Sequence, residues 1–347
     1  MTTPTRPFPF QDLPEDIARS VLEIAAENLR GAGLALTMVC KTVQAWTEPY
    51  LYRHIEVDNS AVAGRLHRTI LSHKRPQIFA LYVKSLSISH YSSWNAILDI
   101  LDLCTGLNRI ELHEVYMPQG AGVDVGVKIG KRQVWDKPRP KRLLLPASMF
   151  LPERMHFRCF NHGQEANPIF TNVTHLELLC TAETLTSWTW STLSKLTKLT
   201  HLCLGTPPSL ESPGLAEQLL ASTISYLPSS LLLYVLSMPF SQYKPLSSTS
   251  RPDPRKGNPS KAVRQWLDNS QQLVEGSSGL DARLVFAVDK CHYDSCRGER
   301  WLNLVIWRYV AGPEARHDSD SGAFWRRAEA VVAGRRIKEC HDDSESF

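Results

Sequence analysis

The sequence predicts a mixed α/β protein built in three parts. Three observations predict it. Apolar residues recur at helical spacing through residues 11–57, short leucine-bearing strand phrases repeat through residues 58–240, and two apolar strands with a further helical pattern occupy residues 260–340. A stretch rich in proline, serine and basic residues, 241–259, separates the last two parts and reads as a flexible linker.

Length and composition bound what the chain can be. The 347 residues are 43% hydrophobic and 21% charged, the profile of a chain that can bury a core. A net charge of +4 is too mild for a dedicated nucleic-acid or membrane-surface protein, so neither partner is expected. The eight cysteines show no framework spacing, and several lie inside apolar runs such as Leu202-Cys203-Leu204. They read as small buried hydrophobes in a reducing compartment. The first ten residues carry no apolar run of the signal-peptide kind, and the longest apolar run, Leu231 to Leu236, is far below a membrane span of about 20 residues. A cytoplasmic or nuclear location is expected.

The first part is helical. Leu13-Pro14-Glu15-Asp16 opens a helix, with proline in the first turn and two acids where the dipole favours them. Ile17, Val21, Leu22, Ile24, Ala25 and Leu29 form its apolar face, and Gly31-Ala32-Gly33 breaks it. A second stripe at Leu36, Val39, Cys40, Val43 and Trp46 predicts another helix, ended by Pro49. Tyr50-Leu51-Tyr52 allows a short turn, and His54 to Val57 alternates like a strand. So small a unit leans on its own next domain or on a partner.

The run Leu13-Pro14-Glu15-Asp16-Ile17, with Val39-Cys40-Lys41, Trp46 and Pro49-Tyr50-Leu51-Tyr52-Arg53, resembles an F-box. It is most similar to the F-box-like start of a large family from mushroom-forming fungi, and the likeness covers about the first sixty residues. The resemblance implies docking on a Skp-type adaptor protein that bridges to a cullin scaffold and a ubiquitin-conjugating enzyme. By position, Leu13, Pro14, Ile17, Val39 and Cys40 would face or support that adaptor, and Trp46 and Leu51 would belong to the same small core. The chain departs from the pattern at Val43, where the family carries a large aromatic residue. Trp46 comes three residues later. Without adaptor binding, the unit would serve as a helical cap on the neighbouring domain.

The repeated phrase is a strand of alternating leucines. Its copies centre on Leu86, Ile110, Leu143, Leu176, Leu202 and Leu231, spaced by 24, 33, 33, 26 and 29 residues. That is the range of leucine-rich repeats, lengthened and irregular. Helical stretches are expected between strands at Trp94 to Leu103 and at Leu185 to Leu196, the latter with Trp188, Leu193 and Leu196 on one face. Stacking such units gives a solenoid with alternate leucines inward and the residues between them on a concave face. Ser85, Ser87, Glu111, His175, Glu177 and His201 are therefore the expected target-binding positions. No copy carries the asparagine ladder of the standard motif, and a six-stranded α/β fold that is not a solenoid stays open.

Met117 to Pro140 reads as an inserted loop, and seven of the residues from Lys128 to Arg142 are basic. No aromatic series interleaves them as a nucleic-acid stacking site requires. Beyond the linker, Ser260 to Glu275 predicts a helix, Leu284 to Val288 and Leu302 to Trp307 predict strands, and Phe324, Trp325, Ala328, Val331 and Val332 predict a closing helix.

Catalytic and metal motifs are mostly missing. Cys291 and Cys296 with His292 give a single short-spaced couple where structural zinc takes two. Gly126 to Arg132 misses the phosphate-loop spacing and has no Ser or Thr after its lysine. No Gly-x-Ser-x-Gly elbow or His-Glu-x-x-His helix occurs. No cofactor, metal or catalytic residue is expected. The sequence thus reads as an F-box-like unit, a leucine-rich-repeat-like solenoid and a C-terminal α/β cap, a non-enzymatic adaptor between a ubiquitin ligase and a protein target. The alternative is a protein-binding solenoid with no ligase connection. A hydrolase or transferase with an unfamiliar site would need a deep pocket of perturbed titratable groups.

Overall fold

The computed structural model describes residues 12–29, 31–73, 75–88, 94–113, 137–147, 168–180, 190–205, 215–238, 281–290, 305–308 and 322–342. Most of the 117–140 loop, the 241–259 linker, the helix expected at 260–275, Trp188 and the Cys291–Cys296 motif lie outside them. The architecture is mixed α/β. Nine strands are described, and neighbours in the sheet are neighbours in the chain. Every pair with a described register is parallel. The chain divides into two compact units, Met1–Ile110 and Glu111–Phe347.

In the first unit, α1 (Glu15–Asn28) starts after Pro14, whose backbone is extended, and carries Glu15 and Asp16 in its first turn. The second apolar stripe makes two helices rather than one, α2 (Ala32–Thr37) and α3 (Lys41–Arg53). Cys40 divides them. Its extended backbone (φ −162°, ψ 167°) places it as the N-cap of α3, where its Sγ accepts from the Val43 N–H at 3.5 Å. Nor does Pro49 end the helix. It sits inside α3, which runs on through Tyr50, Leu51 and Tyr52. The tertiary setting keeps helical a segment that proline alone would interrupt.

β1 (His54–Val57), α4 (Ser60–Ser72), α5 (Ile78–Tyr82), β2 (Ser85–Ile88), α6 (Trp94–Leu103) and the start of β3 (Arg109–Leu112) complete this unit. Phe79 is fully buried, with Tyr52 and His73 edge-on to its ring at 5.2 and 5.5 Å. His67 on α4 bonds Asp99 on α6 at 2.9 Å. α4 was not legible as a separate element; Asn59 caps it by accepting from the Val62 N–H at 2.9 Å.

The second unit contains β4 (Arg142–Pro146), β5 (His175–Leu179), β6 (His201–Gly205), α7 (Leu215–Thr223), β7 (Leu233–Met238), β8 (Leu284–Asp289), β9 (Val305–Arg308) and α8 (Ala323–Asp342). One backbone step recurs at strand entries. The carbonyl just before a strand accepts two successive N–H groups from the entry of the next strand. Lys141 O takes Thr174 and His175, Thr174 O takes Thr200 and His201, and Thr200 O takes Leu232 and Leu233, all at 2.8–3.1 Å. Lys84 O takes Asn108 and Arg109 in the same way in the first unit. At β8 the pattern changes: Tyr234 N donates to Arg283 O, and the Arg283 guanidinium reaches Leu231 O at 3.0 Å.

Register then stacks like on like. Leu143, Leu176, Leu202, Tyr234 and Leu284 form one ladder, and Leu145, Leu178, Leu204, Leu236, Phe286 and Val305 form the next on the same face. All are buried, with Ile169, Phe170, Val173, Leu193, Leu199 and Leu219 from the connecting segments. The sixth repeat is anchored by Tyr234 rather than Leu231, three residues later than the phrase suggested. Tyr234 shares a 2.7 Å bond with Thr223, tying β7 to α7. The helix expected at 185–196 is, over its described part, a 3-10 segment, Trp190–Lys195.

The opposite face is also covered, as parallel sheets require. Cys203, Leu233, Val235, Val285, Ala287 and Ile306 pack with Phe324, Trp325, Ala328 and Val332 of α8. β8 and β9 thus extend the sheet of the repeats, and α8 lies on it. Gly322, at φ +67°, enters α8 by a left-handed residue, and a Cβ there would stand 3.0 Å from Arg142 Nη2.

Glycine substitutions separate crowded from open sites. A Cβ on Gly106 would stand 2.0 Å from the Ala80 carbonyl oxygen, whereas Gly64 in α4 faces open space. Gly106→Ala is expected to cost about 1–3 kcal/mol through forced backbone shifts, and Gly64→Ala to add up to about 1 kcal/mol. Urea unfolding of the full chain checks both; equal effects would contradict the packing.

Candidate functional site

Two places gather the residues that the sequence singled out, one in each unit. In the first unit the issue is the direction of apolar side chains on α1. At about 100° per residue, Ile17, Val21 and Ile24 share one stripe, and Ala18, Leu22 and Ala25 lie roughly a quarter-turn round. The second set points inward: Ala18 is buried, Leu22 and Ala25 half-buried. The first set points out. Ile17, Val21 and Ile24, together with Leu34, Met38 and Val39 at and after α2, are 46–75% exposed. What reads as one wide apolar face is thus two, and only one meets α2 and α3.

The predicted adaptor residues fall out accordingly. Ile17, Val39, Pro14 and Cys40 are exposed, and Leu13, Trp46 and Leu51 are half-buried. Leu51 packs against Gly33, where a Cβ would come within 2.7 Å of Leu51 Cδ2. Val43, where the family pattern has its aromatic, is buried. Val21, Ile24, Leu34 and Met38 were missed as outward residues because periodicity reports that a face is apolar, not which partner covers it.

In the second unit, two of the expected ligand-facing positions are closed. Glu177 and His201 are buried, so neither stands on an open concave surface as expected. Arg308 of β9 donates through both terminal nitrogens to the Glu177 carboxylate, and its guanidinium lies 4.7 Å from the Phe324 ring centroid. Burial opposes its charge, but the Glu177 carboxylate outweighs that and raises the Arg308 pKa. Cys203 lies in the same layer, and burial pushes its thiol well above the ordinary range, which disfavours the thiolate.

One register step away, His175 and His201 stack face to face at 4.1 Å with only 4° between planes. Trp325 stands edge-on to both, at 5.2 and 5.4 Å. Thr174 and Thr200 place their hydroxyls 2.9 and 2.8 Å from the two Nδ1 atoms, and His201 Nε2 is 2.9 Å from Glu329 Oε1. Burial lowers the pKa of both rings, that of His175 to about 3 with help from His201 and Arg142. The cluster ties α8 to β5 and β6 through Trp325 and Glu329.

The remaining predicted positions vary. Ser85 is buried in β2; Ser87, Glu111 and His175 are half-buried. Glu111 lies 3.7 Å from His113 Nε2. Among the described residues no group of three or more His, Cys, Asp or Glu could hold a metal, and no helix is long and apolar enough to cross a membrane. Comparison with protein family models, characterised proteins and solved structures finds no match to this chain.

The buried ion pair generates a stability test. Removing one partner leaves the other charged and dry, so Arg308→Met is expected to cost about 3–5 kcal/mol. Arg308→Met with Glu177→Leu should recover most of that loss in urea unfolding of the full chain. A single-variant loss below about 1 kcal/mol would mean the pair is solvated.

Proposed function

We propose that this chain is a non-enzymatic substrate adaptor of the F-box type. Its first helices dock on a Skp-type adaptor protein, and its repeats hold a protein target for ubiquitination. The observation that carries the reading is the outward stripe of Ile17, Val21 and Ile24, with Leu34, Met38 and Val39 exposed nearby in the chain. Burying a large aliphatic side chain stabilises an association by roughly 1.5–3 kcal/mol. Several such side chains on two short helices are a surface that a partner covers, and the F-box resemblance of residues 13–53 says which kind of partner.

The rest of the chain fits a holding role. All-parallel strands in chain order are what stacked strand-and-connector repeats produce, and the leucine-rich-repeat-like solenoid is the finer form proposed for them. Target contact is assigned to the repeat region, where Ser87 and Glu111 each keep part of their surface open. The chain does no chemistry itself; tethering raises the effective concentration of target at the transferring enzyme.

Calorimetric titration of the full chain with a Skp-type adaptor tests this. Micromolar or tighter binding is expected, weakened at least about 100-fold by Ile17→Asp with Ile24→Asp. Both positions are exposed, so circular dichroism of the double variant should match the parent. A well-folded chain that does not bind would make residues 11–57 a cap and leave a binding solenoid without a ligase connection.

A further inference from the structure

We infer that α8 is a proton-sensitive cover on the strand face of the second unit, latched by the stacked His175–His201 pair through Trp325 and Glu329. This surface is separate from the α1 and α2 residues assigned to adaptor docking, and it works whether or not they bind a partner. Thr200 has one hydroxyl proton and two acceptors in reach, Thr174 O at 3.0 Å and His201 Nδ1 at 2.8 Å. When the hydroxyl donates to the ring, His201 is neutral and its Nε2–H donates to Glu329. When it donates to the carbonyl, Nδ1 must be the donor, and the Nε2–Glu329 bond then needs a second ring proton. The same heavy-atom geometry therefore accommodates a neutral imidazole and an imidazolium paired with Glu329.

His175 has the same threonine arrangement at Nδ1 but, among the described residues, no carboxylate that favours its proton. Its Nδ1 meets Thr174 Oγ1, which itself reaches Lys141 O at 3.2 Å. The charged groups that face the pair are Arg142 from β4, Glu329 from α8, and each imidazole to the other. A proton on His175 would thus sit 4.1 Å above a second imidazole and beside an arginine, under the Trp325 edge. Docked α8 disfavours that proton; undocked, the ring is free to take it.

Linkage sets the sign. Both rings have lowered pKa values when docked, about 3 for His175. Their contribution to docking is therefore complete above the solvated histidine value of about 6.5 and is lost progressively as pH falls below it. Each proton taken up on opening changes the opening constant up to about tenfold per pH unit. Glu329, half-exposed, moderates the effect at His201, since its carboxylate raises that ring's pKa against burial. Opening uncovers Cys203, Leu233, Val235 and Val285, the face that α8 otherwise occupies.

Hydrogen exchange of the full chain between pH 7.5 and 5.5, corrected for intrinsic rates, tests the latch. Amides of residues 323–335 should open about 10- to 100-fold more at pH 5.5, while those of β5, β6 and β7 keep their protection. His175→Gln with His201→Gln should flatten the profile. Should that variant fail to fold, Glu329→Gln, at a half-exposed position, should steepen it. A flat profile in the parent, an unchanged slope in Glu329→Gln, or strands and helix losing protection together would each overturn the latch.

Discussion

The hydrogen-bonded step between strand entries is what the rest of the second unit depends on. A parallel strand cannot pair with its neighbour through a tight turn, so each must return by a connector and meet the last one in register. Here the carbonyl before one strand takes both N–H groups at the entry of the next, three times in succession from Lys141 to Thr200. That repeated contact sets the register at the edge where pairing starts. Leucines then align from strand to strand, and a one-residue slip would turn every one of them to the other face.

With register set, the two faces acquire different jobs. One carries the leucine ladders and is closed by the connecting segments. The other mixes apolar and ionisable residues and is closed by α8, through Trp325 over the histidines and Phe324 beside Arg308. The Arg308 charge survives in that layer because Glu177 matches it, while His201, whose proton burial disfavours, bonds Glu329. The first unit presents the reverse situation. There α1 has more apolar surface than α2 and α3 can cover, and the excess faces outward. One apolar stripe of α1 packs inside the fold, and the other, at Ile17, Val21 and Ile24, stays exposed.

The strands were legible in the sequence because alternation with period two survives any tertiary arrangement. Five of the six anchor residues stand second in the strands they predict, and the C-terminal strands and helix lie where the apolar runs place them. Failures occurred where a local signal had a tertiary competitor. Pro49 reads as a helix end, yet α3 continues through it; Cys40 reads as part of an apolar stripe, yet it is an N-cap. The sixth strand moved to Tyr234 because its register with Leu202 and its bond to Thr223 outweigh the appeal of Leu231.

By itself, then, the sequence determined the class of structure, the strand set and the helical start, since these rest on composition and periodicity. Which side of α1 faces out, that Arg308 meets Glu177 and that α8 meets His201, only the tertiary structure decided. The reason is physical. Periodicity records that a side chain is apolar or polar, but burial depends on which distant segment arrives to pack on it. His201 and Glu329 are 128 residues apart, and Glu177 and Arg308 are 131. Nothing local in either stretch encodes that meeting.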